Sequence, residues 1–141
     1  MESHMSPVRE NIRRLHAEVI QEVRRAASTV RAFEVIHEDL TRPRVTLLRP
    51  RYVGEEQMLA LVAHAAAVQR TVHTVEMLLA CARSEAEHCV GAQPRDLQAI
   101  EQLHHGLTLQ YRHMLLTARQ LSHRSAPKTA RAPSPFSLAF V

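Results

Sequence analysis

Apolar side chains recur at three- and four-residue steps through three long stretches of the chain, and that period marks each as an amphipathic helix. In the first stretch Ile12, Leu15, Val19, Val23, Ala26, Val30, Phe33, His37 and Leu40 follow Ser6 and Pro7, a favoured N-cap and first helical residue. From Val19 the steps alternate strictly between four and three, the spacing of a coiled-coil seam. A second stretch carries Met58, Leu61, Val62, Ala65, Val68, Val72, Val75, Leu79 and Ala82. A third carries Leu97, Ile100, Leu103, Leu107, Tyr111, Met114, Ala118 and Leu121. The pattern predicts helices over about 7–40, 55–90 and 94–121, and hence an all-α fold.

Between these stretches the punctuation is specific. Pro43 and Pro50 bar a continuous helix and push Arg42 and Arg49 toward extended backbone, so residues 41–54 read as a connector. Glu55 and Glu56 suit the positive end of a second helix dipole. Gly91 is placed to cap that helix at its C-terminus, and Pro94 to open the third. Gly106 falls inside the third helix, where its lack of a side chain suggests a close helix crossing. Residues 1–6 form an N-terminal extension and 7–121 a single helical domain. Residues 122–141, with proline and no periodicity, read as a flexible basic tail. Long helices with short links predict an elongated antiparallel hairpin or three-helix bundle with a coiled-coil-like seam. The stripes are narrow, and self-association through the first or second helix is expected to cover what they leave exposed.

Composition sharpens this picture. Tryptophan is absent and aromatic residues make up 4% of the chain, so the core must be built from Leu, Val, Ile, Ala and Met, which favours helices over a β-sandwich. The net charge of +4 is unevenly placed, because the tail holds Arg124, Lys128 and Arg131 without an acid. The helical body is near neutral, and the basic balance alone does not argue for nucleic-acid binding. Cys81 and Cys89 would lie roughly 12 Å apart on one helix, too far for a bridge, so reduced thiols in an intracellular setting are expected. No apolar run is long enough to span a membrane.

Candidate chemistry is thin. Glu-x-x-His occurs as Glu34 with His37, Glu85 with His88 and Glu101 with His104, a spacing that puts both side chains on one helix face. Di-iron bundles use the same spacing. Glu85, His88, Cys89, Glu101 and His104 have the geometry for a small zinc site. Ten histidines make such pairs easy to find by chance, so amphipathic faces and helix charge pairing are preferred and no metal or other cofactor is assigned. The histidine content also invites a pH-switch reading, set against partly buried histidines with satisfied partners. Ile100, Leu103, Leu107 and Leu109 have the spacing of a nuclear export signal, which on a helix more often means core. There is no Gly-x-Ser-x-Gly, no phosphate-binding glycine loop and no recognisable catalytic cysteine context, so an enzyme is not expected.

The connector is the strongest candidate for a partner-binding edge. Arg42, Arg44, Arg49 and Arg51 surround the apolar Val45, Leu47 and Leu48, with Tyr52 beside them and no acid between Thr41 and Val53. Phosphate, nucleic acid or an acidic protein surface would each suit it. With one aromatic in the run, nucleic-acid binding is less expected than a solvated linker, or arginines paired with Glu38, Asp39, Glu55 and Glu56 on the flanking helix ends.

The step "RPRYVG" from Arg49 to Gly54, followed by the Ala-rich "MLALVAHAAAV" and preceded by "RRLHAEV" at Arg13–Val19, resembles the herpesvirus family of small tegument proteins known as UL fourteen. The matching positions are Pro50, Arg51, Tyr52, Val53 and Gly54, with His64 in the helix beyond. The resemblance covers about residues 9–70 and extends to the third helix by helical character only. Members can carry a longer acidic or proline-rich C-terminal region, and this chain ends in a short basic tail. What the resemblance implies is a virion tegument component of host cytoplasm and nucleus. It would be chaperone-like, binding viral and host proteins and aiding their transport, virion assembly and egress. The reading from another class is a bacterial helical regulator or secretion chaperone with basic nucleic-acid contacts.

Overall fold

A computed structural model describes residues 7–41 and 54–125. Three helices account for nearly all of them: α1 (Pro7–Thr41), α2 (Glu55–Ala86) and α3 (Arg95–Ser125). There is no strand among the described residues, and the fold is an all-α three-helix bundle.

The sequence explains where α2 and α3 start. At α2, Gly54 holds the cap position: its carbonyl accepts from Met58 N–H at 3.0 Å, while its own N–H donates to Gln57 Oε1 at 3.0 Å. The first contact is the opening helical hydrogen bond and the second is the N3 half of a capping box, with glycine in the cap position, and Glu55 and Glu56 fill the first turn. At α3, the buried Pro94 presents its carbonyl to Leu97 N–H at 3.2 Å. The cap assigned to Ser6 lies outside the described residues.

Two helix ends depart from the pattern-based boundaries. α2 stops at Ala86, four residues before the expected Val90. Beyond it, Glu87 N–H is shared between the carbonyls of Arg83 and Ser84, and His88 and Cys89 donate to Glu85 and Ala86 at 3.0 Å. Three-residue hydrogen bonds thus tighten the chain out of the α-helix. Gly91 does not cap α2 directly. It sits five residues past the end with φ 97°, a left-handed turn position where a side chain would strain the backbone. At the other boundary, α3 continues through Ser125, so residues 122–125 belong to the helix and not to the tail.

The chain divides into two units, each built from a segment of all three helices. The first takes described residues 7–26 and 70–110. Its core comprises Ile12, Val19 and Ala26 from α1; Val72, Val75, Leu79 and Ala82 from α2; and Leu97, Ile100 and Leu107 from α3. In this unit His16 meets Asp96, and Val23 lies beside Leu103 and Gly106, so α1 and α3 advance in the same direction. Arg83 meets Glu101 across the short turn, so α2 runs against both.

The second unit takes described residues 27–41, 54–69 and 111–125. Val30, Phe33 and Leu40, with Met58, Leu61, Ala65 and Val68, and with Met114, Ala118 and Leu121, form its core. Thr117 is the buried polar side chain among the described residues. No helix among them is long and apolar enough to cross a membrane.

Candidate functional site

The connector residues Arg42, Arg44, Val45, Leu47, Leu48, Arg49, Arg51 and Tyr52 lie outside the described residues. Their flanks are in place. α1 closes at Thr41, whose hydroxyl donates back to the His37 carbonyl at 2.9 Å, and α2 opens on the Gly54–Gln57 cap.

The Glu-x-x-His pairs do not converge. Glu85 accepts from Asn11 Nδ2 at 3.1 Å, and Glu101 accepts from the Arg83 guanidinium at 3.2 Å. Both carboxylates are thereby engaged with α1 or α2 side chains. No three His, Cys, Asp or Glu side chains are grouped to hold a metal ion among the described residues. Glu34 is exposed while His37 is half-buried. Cys81 is exposed, Cys89 half-buried, and both are free thiols.

His104 differs from the expected satisfied histidine: its Nε2 is buried without a hydrogen-bond partner. Its backbone carbonyl is used, accepting from the Thr108 hydroxyl at 2.8 Å. Tyr111 is half-buried on α3, and burial pushes its phenol above the ordinary value of 10.0, with Arg119 pulling the other way.

Two features of the first unit had no signature in the sequence. One is a polar set that ties the start of α1 to the α2–α3 turn. Arg9 donates to the Ala92 carbonyl at 2.8 Å, Asn11 to Glu85, and His16 Nδ1 lies 3.1 Å from Asp96 Oδ1. These partners are more than 70 positions apart, so only the packed helices reveal them. The other is a groove of about 420 Å³ lined by Val23, Gln102, Leu103, Gly106, Leu107 and Gln110. It explains why Val23 and Leu103 are only half-buried although both belong to the apolar stripes. Gly106 does not mediate a close crossing: a Cβ placed there would meet nothing within 4 Å.

The outer surface of α2 is the least expected. Its buried seam runs Met58, Leu61, Ala65, Val68, Val72, Val75, Leu79 and Ala82, yet Leu59 and Met77 are 50% and 60% exposed on the other side. Ala63, Ala80 and Cys81 are exposed as well. A helix apolar on both sides has surface to offer a second partner. Val35, Leu109 and Leu116 add exposed apolar side chains on α1 and α3. No family model, curated protein or solved structure matches the chain.

Proposed function

We propose that the chain is a non-enzymatic helical adaptor of the UL fourteen tegument type. In this reading it binds viral and host proteins, acts on them in a chaperone-like way, and aids their transport, virion assembly and egress. Its places of action would be the virion tegument and the host cytoplasm and nucleus.

The observation that carries the reading is the two-sided apolarity of α2. One side fills the bundle core, while Leu59 and Met77 stand half or more exposed on the other. A helix with free apolar side chains offers knobs to a partner's helix or groove, which is how helical recognition gains affinity without a catalytic group. The resemblance at Arg49–Gly54 directs that capacity toward tegument work. It also makes the connector, with Arg42, Arg44, Val45, Leu47, Leu48, Arg49, Arg51 and Tyr52, the docking edge.

The direct test is fractionation of gradient-purified virions from cells infected with the encoding virus. A tegument adaptor is expected inside the particle, protected from protease until detergent removes the envelope. Abundant protein in infected cells with none in the particle would refute the tegument assignment.

A further inference from the structure

The exposed face of α2 in the first unit carries an alternating charge series, Arg70, Glu76 and Arg83, which Glu87 continues just past the helix end. Read backwards, the series is Glu, Arg, Glu, Arg. Each position therefore meets its opposite when the face is laid against a reversed copy of itself. We propose that this face binds the same face of a second copy of the chain, with the two α2 helices antiparallel and the two-fold axis level with the gap between Leu78 and Leu79.

The register follows from residue numbers and helix rise. An axis between positions 78 and 79 sets Arg70 level with the second copy's Glu87, and Glu76 within one turn of its Arg83. Each pair occurs twice by symmetry, as an isologous interface requires. A parallel copy in register would oppose like charges at every one of these positions, which is destabilising. Between the charged flanks, Met77 falls level with Ala80 of the reversed copy. Met77 is 60% exposed in the single chain, and Ala80, also exposed, leaves room for its flexible side chain. The steps from Arg70 through His73, Met77 and Ala80 to Ser84 are three, four, three and four, so these exposed positions form one stripe along the helix with Met77 and Ala80 as its apolar centre.

Arg83 already contacts Glu101 at 3.2 Å with 59% of its side chain exposed, so it can bridge Glu101 and the incoming Glu76 together. The apolar centre is small, and the association is accordingly expected to depend on concentration. The dimer covers Met77 and leaves Leu59, in the second unit, to other partners.

Sedimentation equilibrium of the full chain across a concentration series tests it first. The wild type is expected to show a monomer–dimer equilibrium. Met77→Glu is expected to weaken the dimer by about tenfold or more while leaving the helical circular dichroism unchanged, since the position is exposed in the monomer. Thr74→Cys in a Cys89→Ser background supplies a second test. Thr74 lies on the flank opposite the second copy's Cys81, whereas within one chain the introduced thiol and Cys81 would be about 10 Å apart along the helix, beyond a bridge. Mild oxidation is expected to give covalent dimers with Thr74→Cys and not with Cys81 alone. A wild type that stays monomeric throughout would overturn the proposal. So would a dimer untouched by Met77→Glu, or equal cross-linking with and without the Thr74→Cys substitution.

Discussion

Gly106 shows how a single residue can be correctly placed by sequence and wrongly explained. Its position inside a helix is plain from the surrounding apolar steps, and a missing side chain there suggests that another backbone comes close. The structure has open space instead, bordering the groove beside Val23. With neither a positive φ nor a close neighbour to justify it, the glycine carries only its entropic penalty. Gly106→Ala is expected to stabilise the protein by about 0.5–1 kcal/mol, read as a higher melting temperature. A melting temperature equal to or below the wild type's would show that the groove needs the open position. Tyr111 is a residue of the opposite kind, perturbed by its surroundings. Burial raises its pKa, so the folded chain prefers the neutral phenol. Its contribution to stability is therefore complete below the unfolded value of about 10 and is lost as pH rises through the higher folded value. The difference in tyrosinate absorbance between wild type and Tyr111→Phe should give a midpoint above 10. A midpoint at or below the free value would contradict the burial effect.

At the scale of the element, α2 separates what periodicity reveals from what it conceals. The inward seam from Met58 to Ala82 is legible because three- and four-residue steps of Leu, Val, Met and Ala have one physical explanation. The outward face was not legible, because Leu59 and Ala80 sit one residue and Met77 two residues out of phase with the inward seam, and an Ala-rich helix blurs the contrast between its sides. The helix end was also misjudged: Val90 looks like a last apolar position but is 93% exposed, with the chain already turned by the tighter hydrogen bonds after Arg83. The start was easier, since glycine followed by two acids is a local signal. Its strength can be measured. Gln57→Ala removes the acceptor of the Gly54 N–H at an exposed cap, with an expected loss of about 0.5–1 kcal/mol in a denaturant titration. An unchanged midpoint would mean that water replaces the amide without cost. Truncating a core side chain should cost far more. Ile100→Ala, at a fully buried position, is expected to lose about 2–5 kcal/mol, whereas Leu109→Ala at a half-exposed position should stay within about 0.5 kcal/mol. Similar losses from both would mean that Leu109 is covered in solution.

At the scale of the whole molecule, the charge has a simple geography. Residues 7–41 hold six basic and six acidic side chains, and residues 54–125 hold six basic and seven acidic ones, so the described helices together are nearly neutral. The positive excess comes from Arg42, Arg44, Arg49 and Arg51 in the connector, with Lys128 and Arg131 in the tail. The near-neutral described helices therefore contribute no net positive charge of the kind that nucleic-acid binding draws on. The connector was recognised in the sequence because four arginines in ten residues stand out from any background. What they contact was not legible, because a run of like charge suits every acidic partner equally. Replacing all four with alanine separates the alternatives. Melting curves of both chains are recorded alongside, so that a loss of binding is told apart from a loss of fold. For an adaptor, binding to its protein partner should weaken, while retention on random DNA should be slight for both chains at about 0.15 M salt. For a nucleic-acid binder, the wild type should hold DNA with an affinity falling steeply in log salt, by a slope near 0.7–0.9 per phosphate contact, and the variant should lose up to four contacts' worth of that slope. A steep slope in the wild type, flattened in the variant, would set aside the adaptor reading in favour of the regulator. A shallow slope in both would leave protein surfaces as the targets of the connector.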